Sequence, residues 1–132
     1  MQRTLTPENT LEFLRRFDQF NDGVLRKIEV SFPEATPQVV RFWLEGCDYA
    51  TGNDAWVLVR LDVLGVTDFR LACSRKYGAV TYCMGISFGW FDGQVAVDVS
   101  DSGDTPQSLA QLQASSNYFA VGSRIEWSIV QE

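Results

Sequence analysis

The chain has 132 residues, of which 45% are hydrophobic and 21% charged, a balance that excludes a disordered or fibrous protein. Its 11 basic and 17 acidic residues give a formal net charge of −6, a field that repels a nucleic-acid backbone unless the few cations cluster. The uncharged, largely apolar stretch Gly78 to Phe91 is too short for a membrane span and is interrupted by Gly, Thr and Ser, so neither nucleic acid nor membrane is an expected partner.

Residues 1–132 read as a single domain, with an N-terminal helix at about 7–20 and a β-hairpin-rich region at about 24–130. Leu11, Phe13, Leu14, Phe17 and Phe20 recur at helical spacing, with Glu12, Arg15, Arg16 and Asp18 between them. Thr6 is the expected N-cap, Pro7 suits the first helical position and Glu8 favours the dipole. Asn21-Asp22-Gly23 stops the helix.

From Val24 the period becomes two. Val24, Ile28, Val30 and Phe32 fall on one face and Lys27, Glu29 and Ser31 on the other, with Pro33 and Pro37 bracketing the next turn. The following strands turn Val40, Phe42 and Leu44, then Val57, Val59, Leu61 and Val63, to one side. Gly52-Asn53 suits a two-residue type II′ loop, which sets Leu44 opposite Leu61 and Phe42 opposite Val63. On the outer side Glu45 then meets Arg60 and Trp43 meets Asp62. Gly65-Val66-Thr67 reads as a three-residue reversal placing Val63 by Phe69, Leu61 by Leu71, Val59 by Cys73, and Asp62 by Arg70.

Residues 79–84 read either as a short strand or as the bulged start of the next one, because Gly85 interrupts. Asp92-Gly93 is a type I′ signal that faces Trp90 with Val95, Phe88 with Val97 and Ile86 with Val99. After Val99 comes a polar loop, then one or two helical turns around Leu109 and Leu112. Alternation resumes at Asn117 to Val121 and Ser123 to Val130, with Ile125, Trp127 and Ile129 on one face and Gly122 as a bend. The fold class is α+β, mostly β: an N-terminal helix packed on a curved antiparallel sheet or small β-sandwich of about eight strands.

The chain contains no histidine, which removes imidazole general bases, Ser-His-Asp and Cys-His nucleophiles and most zinc sites. No phosphate loop, dinucleotide fingerprint or calcium-loop spacing occurs, and Asp98, Asp101 and Asp104 read as a solvated acidic loop rather than a metal site. Cys47, Cys73 and Cys83 lack metal or redox spacing, Cys47 and Cys83 have no basic neighbour, and all three read as buried thiols. No enzyme, cofactor or metal is expected. The odd cysteine count, with no apolar leader in residues 1–7, points to a cytoplasmic location.

Two surfaces remain as candidates. Arg41, Trp43, Asp62 and Arg70 share the outer face in the expected register, together with Glu45 and Arg60. That face reads as a protein-contact surface, as a cross-strand ladder, or as the seat of the N-terminal helix. The alternative is an apolar small-molecule pocket lined by Phe88, Trp90 and Trp127.

The run Phe20-Asn21-Asp22-Gly23-Val24-Leu25-Arg26-Lys27-Ile28-Glu29-Val30 leads into paired alternating strands and the phrase Leu64-Gly65-Val66-Thr67-Asp68-Phe69-Arg70-Leu71. From Phe13 to Val99 this pattern resembles small bacterial immunity-type domains. In those, a helix leads through a polar turn, commonly His-Asp, into a twisted β-sheet; Asn21 stands where the His often does. The resemblance implies a non-catalytic cytoplasmic protein that binds a partner, and the outer face makes another protein the expected one.

Overall fold

A computed structural model of the chain describes residues 2–35, 38–52, 54–72, 80–81, 84–101 and 104–130. Asn53, Cys73 and Cys83, and with them the expected contact of Val59 with Cys73, lie outside the described residues. The elements run β1 (Arg3–Thr4), α1 (Thr10–Arg16), β2 (Val24–Ser31), β3 (Val39–Asp48), β4 (Ala55–Leu64), β5 (Asp68–Leu71) and β6 (Val80–Thr81). They continue with β7 (Ser87–Phe91), β8 (Gln94–Asp98), α2 (Leu109–Ser115), β9 (Tyr118–Gly122) and β10 (Arg124–Val130). The strands form two open antiparallel sheets, one in the order β1-β10-β4-β3-β2-β6 and one in the order β5-β9-β8-β7. Their inner faces pack on each other, since Val40, Phe42, Val59, Leu61 and Ile125 of the first share a core with Phe88, Val95, Val97 and Ala120 of the second.

The helix starts at Thr10, with Asn9 rather than the expected Thr6 at its N-cap, and Thr6 instead closes the turn before it through a reciprocal pair of bonds. Its hydroxyl accepts from the Asn9 backbone N–H at 3.2 Å, and the Asn9 side chain accepts from the Thr6 N–H at 2.7 Å. The α-helix ends at Arg16 rather than near residue 20, because Asp18, Gln19 and Phe20 take positive φ angles of 50°, 57° and 60° and form a left-handed 3-10 turn. That conformation is costly for residues with a Cβ. It is held by the Ile86 N–H, which donates to the Gln19 carbonyl at 3.0 Å, and by the fully buried Phe20 ring, which lies against Gly46. Phe13, Phe17 and Phe20 form the buried face, whereas Leu11, expected among them, is 58% exposed.

In β2 an extra residue at Arg26 shifts the pairing with β3, so Leu25 stands opposite Leu44 while Ile28 stands opposite Phe42. The bulge corrects the expected face: Leu25 takes the inward place, Val24 pairs with Glu45 on the outside, and Phe32 is exposed. The β3–β4 pairing keeps the expected faces but is slipped by two residues, with Phe42 opposite Leu61 and Leu44 opposite Val59. The cause is the connection. A 3-10 turn at Tyr49–Thr51 and a left-handed Gly52 (φ 73°, ψ −2°) replace the two-residue loop, and strand pairing closes at Asp48 and Ala55.

Gly65-Val66-Thr67 does not make a hairpin. It carries the chain from β4 in the first sheet to β5 in the second, where β5 pairs with β9, while β10 takes the place beside β4. Next to it, Gly122 and Ser123 make the opposite crossing. The two are tied together: the Ser123 N–H donates to the Leu64 carbonyl at 2.9 Å and the Thr67 N–H to the Val121 carbonyl at 2.9 Å. A Cβ at Gly65 would run into the Ser123 side chain, and Gly65 has φ 61°, so both space and conformation select glycine there. At the far end Asp92 (φ 53°) and Gly93 (φ 72°) form the expected turn, and Trp90, Phe88 and Ser87 stand opposite Val95, Val97 and Asp98.

The second sheet is covered on its outer side as well. Helix α2, capped by the Ser108 side chain, lays Leu109 and Leu112 on Phe91, Ala96, Phe119 and Val121. Leu61 has no solvent exposure in the joint core, so Leu61→Ala should cost about 2 to 5 kcal/mol. Leu11→Ala should stay within about 0.5 kcal/mol. Urea midpoints compare the two, and an unshifted midpoint for Leu61→Ala contradicts the face assignment.

Candidate functional site

On the outer side of the six-stranded sheet the alternation that buries Phe42, Leu61 and Ile125 turns charged residues outward in adjacent strands. Asp62 on β4 faces Arg41 on β3, and Arg41 faces Glu29 on β2. Asp62 is 3% exposed and is the centre of the group. Its Oδ2 accepts from Gln2 Nε2 at 2.8 Å and from an Arg60 terminal nitrogen at 3.1 Å. Its Oδ1 lies 2.8 Å from Arg60 Nε and 3.5 Å from Arg41 Nε, ion-pair distances without hydrogen-bond alignment. Arg41 also donates to Glu29 at 3.0 Å. A carboxylate so enclosed depends on its cations, since burying it alone would be costly.

Trp43 sits beside this ladder, between Lys27 on β2 and Arg60 on β4. The Lys27 ammonium lies 4.6 Å from the indole centroid, a cation–π contact that explains how a half-buried indole stands among charges. The expected Trp43–Asp62 and Glu45–Arg60 pairs become Trp43–Arg60 and Arg41–Asp62, through the two-residue slip. Helix α1 does not cover this face: its Phe13, and Phe17 just past its end, pack on Trp127 and Phe88 inside the sandwich.

Arg70 does not belong to the group. The sheet crossing at residues 65–67 takes it to the second sheet, where it faces Phe119 and donates to the Gln113 and Ser116 carbonyls at 2.6 and 3.2 Å. It therefore holds the C-terminal end of α2, where a cation is favoured. The outer face of the first sheet carries an apolar end that sequence reasoning passed over. Trp56, 52% exposed, stands opposite Cys47, and Leu58 lies between Glu45 and Val130. The signal was present, because the period that turns Val57 and Val59 inward turns Trp56 and Leu58 out.

Phe88, Trp90 and Trp127 do not line a common pocket. Phe88 and Trp127 are core residues, 4% and 7% exposed, and the Phe13 ring lies between them at centroid distances of 5.8 and 5.0 Å. Trp90, 37% exposed, sits near the tip of the β7–β8 hairpin. The space expected for a ligand is filled by the helix.

No protein-family model matches the chain, and neither a curated protein nor a solved structure matches it. The reading of function therefore rests on the chemistry of the two sheets and the clefts beside them. Asp98 accepts from the Ser100 N–H and hydroxyl and from the Ser116 hydroxyl, and Asp101 accepts from the Met84 N–H, so these carboxylates fasten the loop between β8 and α2. Among the described residues no group of three potential metal ligands occurs. Cys47 is buried.

The strongest ionic contact lies elsewhere, at the mouth of the sandwich. Arg16 on α1 makes a two-pronged pair with Asp48 at the end of β3, with both N···O distances 2.9 Å, and Asp48 is 1% exposed. The Arg16 guanidinium lies over the Phe17 and Trp127 rings, 5.2 and 5.4 Å from their centroids. The hydrogen bond from Arg16 holds the Asp48 carboxyl below its ordinary range, against the opposing effect of burial, and the Ala50 N–H adds to it. Asp48 raises the Arg16 pKa in return. A depressed folded-state pKa stabilises the fold above the unfolded-state value near 3.8, and that contribution is lost as pH falls below it. Asp48→Asn should therefore cost about 3 kcal/mol at neutral pH. In urea titrations its gap from the native chain should hold from pH 6 to about pH 4 and narrow below that, and a gap independent of pH would contradict this account.

Proposed function

We propose that the chain is a non-catalytic protein-binding domain whose contact surface is the outer face of the six-stranded sheet. The observation that carries the reading is Trp56, more than half exposed beside Leu58 on a sheet face that no described helix covers, with Trp43 further along the same face. Indoles and arginines are the side chains that anchor protein interfaces, and a surface joining an apolar end to a ladder of both charge signs suits recognition of another protein. The charged part supplies orientation, because each misplaced like charge opposes docking, while the apolar end supplies most of the binding energy. Resemblance to immunity-type domains agrees with a cytoplasmic binder of this kind. Arg41, Trp43 and Asp62 remain in the proposed surface, Trp56 and Leu58 join it, and Arg70 leaves it.

Trp56→Ala separates binding from folding. Its stability should change by no more than about 0.5 kcal/mol. Affinity for a partner should fall by about 1 kcal/mol or more, roughly fivefold. Immobilised native chain, Trp56→Ala and the exposed-site control Leu11→Ala would be exposed to extract of the source cells, and the retained proteins identified by mass spectrometry. A protein held by the native chain and the control but lost from Trp56→Ala supports the reading. Identical sets from all three chains sink it.

A further inference from the structure

The charge balance of the molecule is inverted in one cleft. A groove of about 470 Å³ opens between α1, β1, β10 and the turn after β3, lined by Arg3, Arg15, Arg16, Phe13, Tyr49 and Trp127, with Glu12 the one acidic residue on its walls. Over the whole chain acidic residues outnumber basic ones 17 to 11, so three guanidinium groups around one cavity are a local departure. Its volume lies within the range of roughly 300 to 1,000 Å³ typical of small-molecule sites.

The three arginines are not equivalent. Arg16 is already neutralised by Asp48 and stiffened against Trp127, so it forms wall rather than ligand contact. Arg3 lies over the same indole at 5.4 Å and is exposed, and Arg15 is exposed on the helix. Neither Arg3 nor Arg15 has a carboxylate partner among the described residues. Each keeps a planar set of donors that fits an oxyanion two-pronged. The aromatic walls lower the local dielectric, which strengthens a charge pair formed against them.

We propose that this groove binds a small organic anion, its carboxylate or phosphate meeting Arg3 and Arg15 and its apolar body lying on Phe13, Tyr49 and the edge of Trp127. The site lies inside the mouth of the sandwich and shares no residue with the outer face of the sheet, so it stands or falls independently of protein binding there. Head and body both contribute: an inorganic anion lacks the apolar contact and a neutral aromatic lacks the guanidinium contact.

Four probes test this by NMR titration of the intact chain, following the Trp127 indole N–H and the arginine side-chain signals: benzoate, phenyl phosphate, benzyl alcohol and inorganic phosphate. Benzoate or phenyl phosphate should saturate these signals at millimolar concentration or below, with benzyl alcohol and inorganic phosphate weaker by about tenfold, the worth of one charge pair in a partly dry site. Preference between the two charged probes separates a carboxylate ligand from a phosphorylated one. Arg3→Gln and Arg15→Gln should each weaken the charged probe about fivefold or more, while Lys27→Gln, on the outer face, leaves it unchanged. Equal binding of charged and neutral probes, full affinity in both arginine variants, or no shift of Trp127 with any probe at about 10 mM would overturn the proposal.

Discussion

The two sheets of this protein meet at one end through a wedge of aromatic rings rather than through each other. Phe13 touches Trp127 of the first sheet and Phe88 of the second, and Phe17 stands edge-on to Trp127 while stacking on Phe20. Open sheets of this size leave apolar inner faces that no strand can cover at the end where they splay, and the filler is a short helix with the turn after it, which together bring Phe13, Phe17 and Phe20. The left-handed turn after α1 follows from the same requirement. A right-handed continuation would keep Phe20 on the face of Phe13 and Phe17, whereas the reversal lays its ring against Gly46 and brings the Gln19 carbonyl to the Ile86 N–H. The Arg16–Asp48 pair then closes the helix against β3 from the water side.

Which side chains are inside was largely legible in the sequence, and which strands are neighbours was not. Inside and outside depend on a period of two, and Val40, Phe42, Leu44, Val59, Leu61, Ile125 and Trp127 all obey it. A slip of two residues between β3 and β4 preserves that period, so burial could not detect it; only the 3-10 turn at Tyr49–Thr51 decides it. The crossing at Gly65 escaped for a related reason. A strand that passes to the opposite sheet presents the same alternation as one that folds back in a hairpin, and Phe69 and Leu71 are half-buried in the core either way. The Asp92-Gly93 hairpin was read correctly because its turn is local, two residues that set their own backbone angles.

The candidate surfaces divide along the same line. Arg41, Trp43 and Asp62 lie close together because their outward parity and the adjacency of β3 and β4 were both readable, whereas Arg70 was carried away by the missed crossing. The arginine groove was out of reach of pattern reasoning. It joins residue 3, the helix at 12–16, the turn at 49–50 and residue 127, and no local period relates those segments.

The place of β10 sets the order in which the fold can be completed. It lies between β1 and β4, and it is the last strand along the chain. A nascent polypeptide on the ribosome can therefore assemble β2, β3 and β4 as a meander, but β4 presents an unpaired backbone row from Leu58 to Leu64 until β10 emerges. Exposed edges of this kind are templates for association with other chains. Arg60 and Asp62, charged and near the middle of that row, make the waiting edge a poor partner for a second copy, so the same residues that form the outer ladder of the finished protein shield its half-built intermediate.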